Sequence, residues 1–139
     1  MVKDIVKDIE FLKEKSEWSV IREDKQVYSD LLDTAKSWGI EKCLGLAAVQ
    51  VGYHKRVIAV WTGKDYSIFV NPIIYDSSKE VYEAEEGCLS LEGMRKTIRH
   101  SKIGLLYTTL NGKTKRQVFS GLLAQIIQHE VDHCNGILI

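Results

Sequence analysis

A chain of 139 residues with 45% hydrophobic and 27% charged residues is long enough to bury a core as one domain without disulfide or metal staples. Nineteen Lys and Arg against nineteen Asp and Glu leave no net charge, which argues against a broad electrostatic surface for nucleic acid. No apolar run approaches a membrane span, the N-terminal MVKDIVKDIEFLKEK lacks the apolar core of a secretory signal, and three cysteines without an export signal indicate a reducing, cytoplasmic setting.

In chain order, residues 4–14 set Ile5, Ile9 and Leu12 at helical spacing. Leu31, Leu32, Ala35 and Trp38 repeat it before Gly39, a helix end. RVIAVW and SIFVNPIIYD read as strands parted by the turn TGKD. IGLLYTTLNGKTKRQVF reads as a hairpin turning at Asn111-Gly112. Ser120 caps a last helix that runs to about Cys134 and stops at Asn135-Gly136, and the trailing ILI suggests a short edge strand. The expected class is α+β, with antiparallel sheets packed around the C-terminal helix and helices at the N-terminus.

That last helix carries the chemistry. His129 and His133 are four apart, on one face, and can chelate one ion. Glu130 sits beside them as a general base for a water at that ion. The preceding GLLAQII buries the helix, which disfavours a surface stripe with stray histidines. A third ligand is needed. One metallopeptidase pattern puts a third histidine six residues after the second, and here that position is Ile139. Cys134 is rotated about 100° off the ligand face. Upstream candidates are His54, His100, Cys43, Cys88 and several acids. His54 and His100 lie among basic residues in apparent turns and read as solvated. Cys88 follows Gly87, which frees the backbone to bring sulfur to an ion, yet a lone cysteine is most often a small buried hydrophobe.

Three motifs together say more. CLGLAAVQVG at 43–52, EGCLS around Cys88 and QHEVDH at 128–133, with VNPII between the first two, fall in one order over about residues 40–138. In this the chain resembles the peptide deformylase family, which removes the formyl group from new protein N-termini, as a divergent, short member without a C-terminal extension. The resemblance implies Cys88, His129 and His133 as ligands of one divalent metal ion, Fe2+ by preference, with Zn2+ or Ni2+ as alternatives. It implies Glu130 as base, and the Gln50 amide and Leu89 backbone N–H as donors to the developing oxyanion. Cys43, Leu44 and Gly45 would line the path along which an extended peptide adds as a strand. Gly45 would do so by close backbone approach, with Gly52 as a turn residue. Leu122, Gln125 and Ile126 would line the pocket for the first side chain. Arg95 and Arg99 would contact the peptide or a carboxylate such as Glu86 or Asp132, or form surface ion pairs. The implied partners are N-formylated nascent peptides, with transient ribosome association and neither nucleic acid nor membrane.

Three positions depart from the family pattern: Cys43 stands for glycine, and Val49 and Glu92 for proline. None removes a ligand or the base. Gln125 puts an amide where apolar residues are usual, and Cys43 adds bulk opposite, so the pocket is expected to be less selective for methionine. An unpaired buried amide costs about 1–3 kcal/mol, so Gln125 must find a partner or bind something polar. Hydrolysis of another small amide is an alternative, as is a non-catalytic metal- or peptide-binding paralogue. Glu130 argues against the latter, because metal binding does not require it.

Overall fold

The computed structural model describes residues 1–139. In chain order the elements are α1 (Ile9–Leu12), α2 (Lys25–Trp38), β1 (Gly45–Ala47), a 3-10 turn (Ala48–Val51), β2 (Val57–Trp61), β3 (Tyr66–Ser77), β4 (Val81–Cys88), β5 (Leu91–His100), β6 (Lys102–Thr108), β7 (Thr114–Ser120) and α3 (Gly121–Cys134). Five strands form an antiparallel sheet in the order β1-β2-β3-β6-β7, and β4 and β5 form a separate hairpin. The α+β class expected from the sequence is the one observed.

The run VIAVW in β2 is continuous because both faces of the sheet are covered. Val57 and Ala59 join the core under α2, with Val27, Leu31 and Ala35. Ile58 and Val60 join the core under α3, with Ala124, Ile127 and Val131. Successive strand residues point to opposite faces, so one strand supplies both cores. In β3 the register shifts between Val70 and Ile73, at Asn71-Pro72. Proline has no N–H for the ladder. Asn71 takes a positive φ of 52° there, and its side chain binds Ser19 N (2.7 Å) and Ser19 O (2.9 Å). The β6–β7 hairpin turns where the sequence predicts, with Gly112 at φ 84°.

The β4–β5 hairpin positions the site, and sequence reading missed it. Its pairs run from Val81↔His100 to Glu86↔Arg95, then shift so that Cys88 faces Leu91. The face turned to α3 carries Tyr82, Glu86 and Arg99, and the charged pair on it masks the strand's hydropathy. A matching polar stripe on α3 meets it at i, i+3, i+4 and i+7. Gln125 binds Tyr82, Gln128 binds the His100 backbone, His129 binds Glu86, and Asp132 binds Arg99.

Two expected elements differ. The helix anticipated over 4–14 is one turn, because the Asp8 carboxylate accepts from Glu10 N (3.0 Å) and Phe11 N (3.4 Å) and starts it at Ile9. Before it, Val6 N donates to Gln50 O (2.8 Å), tying the segment to the 3-10 turn. Residues 137–139 form no strand. Ile137 N returns to Asp132 O (2.9 Å), which closes the end of α3.

Candidate functional site

The ligand atoms of Cys88, His129 and His133 lie within 4.8 Å of one another. Cys88 ends β4 just after the register shift, and its Sγ is 3.6 Å from His133 Nε2. Two donors point at the sulfur, Ser90 N at 3.3 Å and Gln50 Nε2 at 3.5 Å, an arrangement suited to a thiolate ligand.

Behind the histidines stands a charged brace. His129 Nδ1–H donates to Glu86 Oε1 at 2.8 Å, which leaves Nε2 for an ion. Arg99 grips the same carboxylate through two bonds (2.9 and 2.6 Å) and reaches Asp132 Oδ2 at 2.7 Å. Burial opposes ionisation of Glu86, but Arg99 and then His129 outweigh it and hold the carboxyl down at about 2. Burial would lower His129; bonding to Cys88 and Glu86 overrides it and raises the imidazole, so an ion taken at Nε2 would displace a proton. Burial, with the charges of His129 and Arg99, pushes His133 down to about 3, so it is a neutral imidazole. A thiol and two imidazoles, one of them oriented by an outer carboxylate, fit a divalent ion such as Fe2+, Zn2+ or Ni2+.

Glu130 is 4% exposed and its Oε1 has no hydrogen-bond partner. Burial first, partly offset by His129, raises its carboxyl to about 7, where a base is best poised for neutral pH. Its other oxygen lies against Gly45, where an added Cβ would be 2.7 Å from Oε2 and 2.7 Å from Ile126 Cγ2. Gly45 is thus where β1 comes close to Glu130 and Ile126 of α3, and Gly52 is the left-handed residue ending the 3-10 turn, at φ 100°.

The centre opens into a cleft of ≈ 620 Å³. Leu44, Gly45, Gln50, Cys88, Leu89, Leu122, Gln125, Ile126, His129 and Glu130 all line it, and His133 lies buried beneath. Gln50 is fixed at both ends: its Oε1 accepts from Ala47 N (3.0 Å) and its Nε2 donates to Ser90 Oγ (3.1 Å).

Two expected lining residues are elsewhere. Cys43 turns into the core under α2, so it adds no bulk to the cleft, and Tyr66 holds its carbonyl (2.6 Å). Arg95 bonds to the Glu92 carbonyl (3.0 Å) and does not reach the cleft. Arg99 forms a buried brace, not a surface ion pair. The two histidines read as solvated are half-buried and bonded: His54 Nε2 to Phe11 O (2.9 Å), His100 Nδ1 to Ser78 O (2.7 Å). Sequence reading missed Ser90, Tyr82 and Gln128. The period-two alternation of Tyr82, Ala84, Glu86 and Cys88 is the signal that could have found the inward face of β4.

A hydrolase working through one divalent ion is the class this α+β frame and donor set define. The family model described as polypeptide deformylase matches residues 2–139, and the chain belongs to that family. It is 47% identical to the peptide deformylase of Clostridium beijerinckii over 139 residues, covering 100% of both chains. It is 39% identical to that of Dictyoglomus turgidum, over 92% of this chain and 82% of the other. Among solved structures, the actinonin-bound class I type b peptide deformylase of Acinetobacter baumannii matches with a TM-score of 0.87 and 35% identity, covering 99% of this chain and 95% of that one. The Met-Ala-Ser-bound form of that enzyme gives 0.88 and 32%, over 99% and 96%. The Thermotoga maritima peptide deformylase gives 0.90 and 27%, over 99% and 95%.

Proposed function

We propose that this chain, as one deformylase domain over residues 1–139, hydrolyses the formyl amide of formyl-methionyl peptides of newly made proteins and releases formate. The observation that carries the reading is the buried, half-unpartnered Glu130 carboxylate beside three metal-type donors within 4.8 Å of one another, in an open cleft.

Cys88 Sγ, His129 Nε2 and His133 Nε2 would hold the ion, and Fe2+ is the first choice by likeness to the family. When bound, such an ion acidifies the attacking water and polarises the formyl carbonyl. Glu130 takes the proton of that water at Oε1 and delivers it to the leaving amine. The Gln50 amide and the Leu89 backbone N–H donate to the formyl oxygen as it gains charge, each such donor contributing about 3 kcal/mol in the transition state. Gln50 turns from Ser90 Oγ to do so, still anchored through its oxygen by Ala47.

The peptide extends along β1, the edge strand of the sheet, which pairs with β2 alone. Its first side chain enters the pocket of Leu44, Leu122, Gln125 and Ile126. The Acinetobacter baumannii relative bound to Met-Ala-Ser supports a peptide as the ligand. The partners are N-formylated nascent peptides met in the cytoplasm, with transient ribosome contact. No helix is long and apolar enough to cross a membrane.

Formate release from formyl-Met-Ala-Ser, measured anaerobically with Fe2+, tests the function. Glu130→Ala is expected to abolish turnover while the metal stays bound. A metal-loaded wild-type protein that released no formate would end the proposal.

A further inference from the structure

Gln125 sits one turn before His129 on α3, and its amide nitrogen has no protein partner. Gln128 bonds through both side-chain atoms, and His129 and Asp132 bond to the Glu86–Arg99 brace. Gln125 Oε1 accepts from Tyr82 OH at 2.9 Å. Its Nε2 donates to no protein group, yet it is absent from the buried polar atoms without partners, which are Ser16 Oγ, Arg95 Nη1, Glu130 Oε1 and His133 Nδ1. Gln125 lines the cleft and Tyr82 does not. The amide is therefore held by its oxygen from behind and offers its N–H groups to the cleft.

We propose that Gln125 makes this pocket accept a first side chain ending in a neutral hydrogen-bond acceptor, so that formyl-methionine sulfoxide peptides are substrates alongside formyl-methionine ones. This deepens the deformylase reading of the same cleft and rests on it. Methionine oxidation turns a flexible apolar chain into a polar one with a strong acceptor oxygen. An apolar pocket strips water from that oxygen and gives nothing back, whereas Gln125 Nε2 replaces the lost bond. In the observed pose Tyr82 holds the amide by its oxygen, which leaves the N–H groups free for the sulfoxide. The thioether of methionine is only a weak acceptor, so it is tolerated without filling the donor. Anionic side chains are disfavoured, because Glu41 and Glu85 set two carboxylates at the cleft against Lys42.

The test compares kcat/KM for formyl-Met(O)-Ala-Ser and formyl-norleucine-Ala-Ser, which matches methionine in length and lacks an acceptor. In Gln125→Leu the sulfoxide-to-norleucine ratio is expected to fall by about tenfold or more. In Tyr82→Phe the same ratio falls by a smaller factor, as expected of a positioning residue whose loss lets the amide rotate. An unchanged ratio in Gln125→Leu overturns the proposal, as does wild-type protein that favours norleucine by more than about a hundredfold. Should either variant fail to fold, inhibition of the wild type by Met(O)-Ala-Ser and norleucine-Ala-Ser decides. Equal or tighter binding of the sulfoxide supports it, and binding about tenfold weaker sinks it. Formate from the norleucine peptide without formate from the sulfoxide refutes this inference alone, while no formate from any formylated peptide removes the deformylase reading and this inference together.

Discussion

A single methyl group at position 45 tests whether β1 and α3 are held at the separation the chemistry needs. In Gly45→Ala the new Cβ would lie 2.7 Å from Glu130 Oε2 and from Ile126 Cγ2, against an ordinary contact of at least 3.4 Å. The clash therefore demands a movement of about 0.7 Å from atoms that are nearly fully buried. Overpacking of this kind costs about 1–3 kcal/mol, which lowers Tm by several degrees. The rate should suffer more. Displacing a base by about 1 Å costs on the order of a hundredfold, and Glu130 is one of the two groups struck. The metal donors are not touched, so metal content should hold.

Three measurements on one preparation separate these effects: a thermal melt, metal content and kcat for formyl-Met-Ala-Ser. The expected pattern is a Tm lower by a few degrees, full metal and kcat down by about 10- to 100-fold. Adding Ile126→Ala removes one of the two clashes. It should restore stability more than rate, because the contact with Glu130 remains, and the double-mutant cycle reads that difference. A Gly45→Ala enzyme within about twofold of wild-type kcat would refute the claim that this approach positions the base.

Arg99→Met strips the brace from Glu86 and should destabilise the fold by about 3–5 kcal/mol, read by denaturant titration, because it leaves a buried carboxylate without its main partner. The same variant should bind metal about 10- to 100-fold more weakly in chelator competition, since Glu86 orients His129. Cys88→Ala should lose stoichiometric metal on dialysis while α3 stays folded by circular dichroism, and a variant that kept its metal would remove the sulfur from the ligand set. Gln50→Leu should retain metal and lose about 10²- to 10³-fold in kcat, the effect of one missing oxyanion donor.

What the sequence made legible was local. His129, Glu130 and His133 are read from spacing along one helix, and β2 from an apolar run short enough for a strand buried on both faces. The hairpin turn at Asn111-Gly112 needed only two residues. Where a residue's role depends on a distant partner, composition misleads. Cys43 follows the end of α2 and precedes a three-residue strand, too short for alternation to say which way its side chain points. It points into the core under α2. Arg95 and Arg99 share one face of β5, four positions apart, and differ in the partners that β4 and α3 set against them. Asp132 and the Glu86 carboxylate make Arg99 the brace.

The polar stripe on α3 shows why hydropathy is a poor guide at this site. Gln128 and His129 are 5% and 7% exposed, yet a helical wheel would assign them to water. They are buried because β4 and β5 bring polar groups to meet them, and each bond removes the desolvation penalty of both partners. Such a face can only form as a set, since a lone Gln or Arg there would be left unpaired under the hairpin. Gln125 at the stripe's open end is the exception: it has one bond to Tyr82 and one donor still free, and it faces the cleft where a substrate side chain would lie.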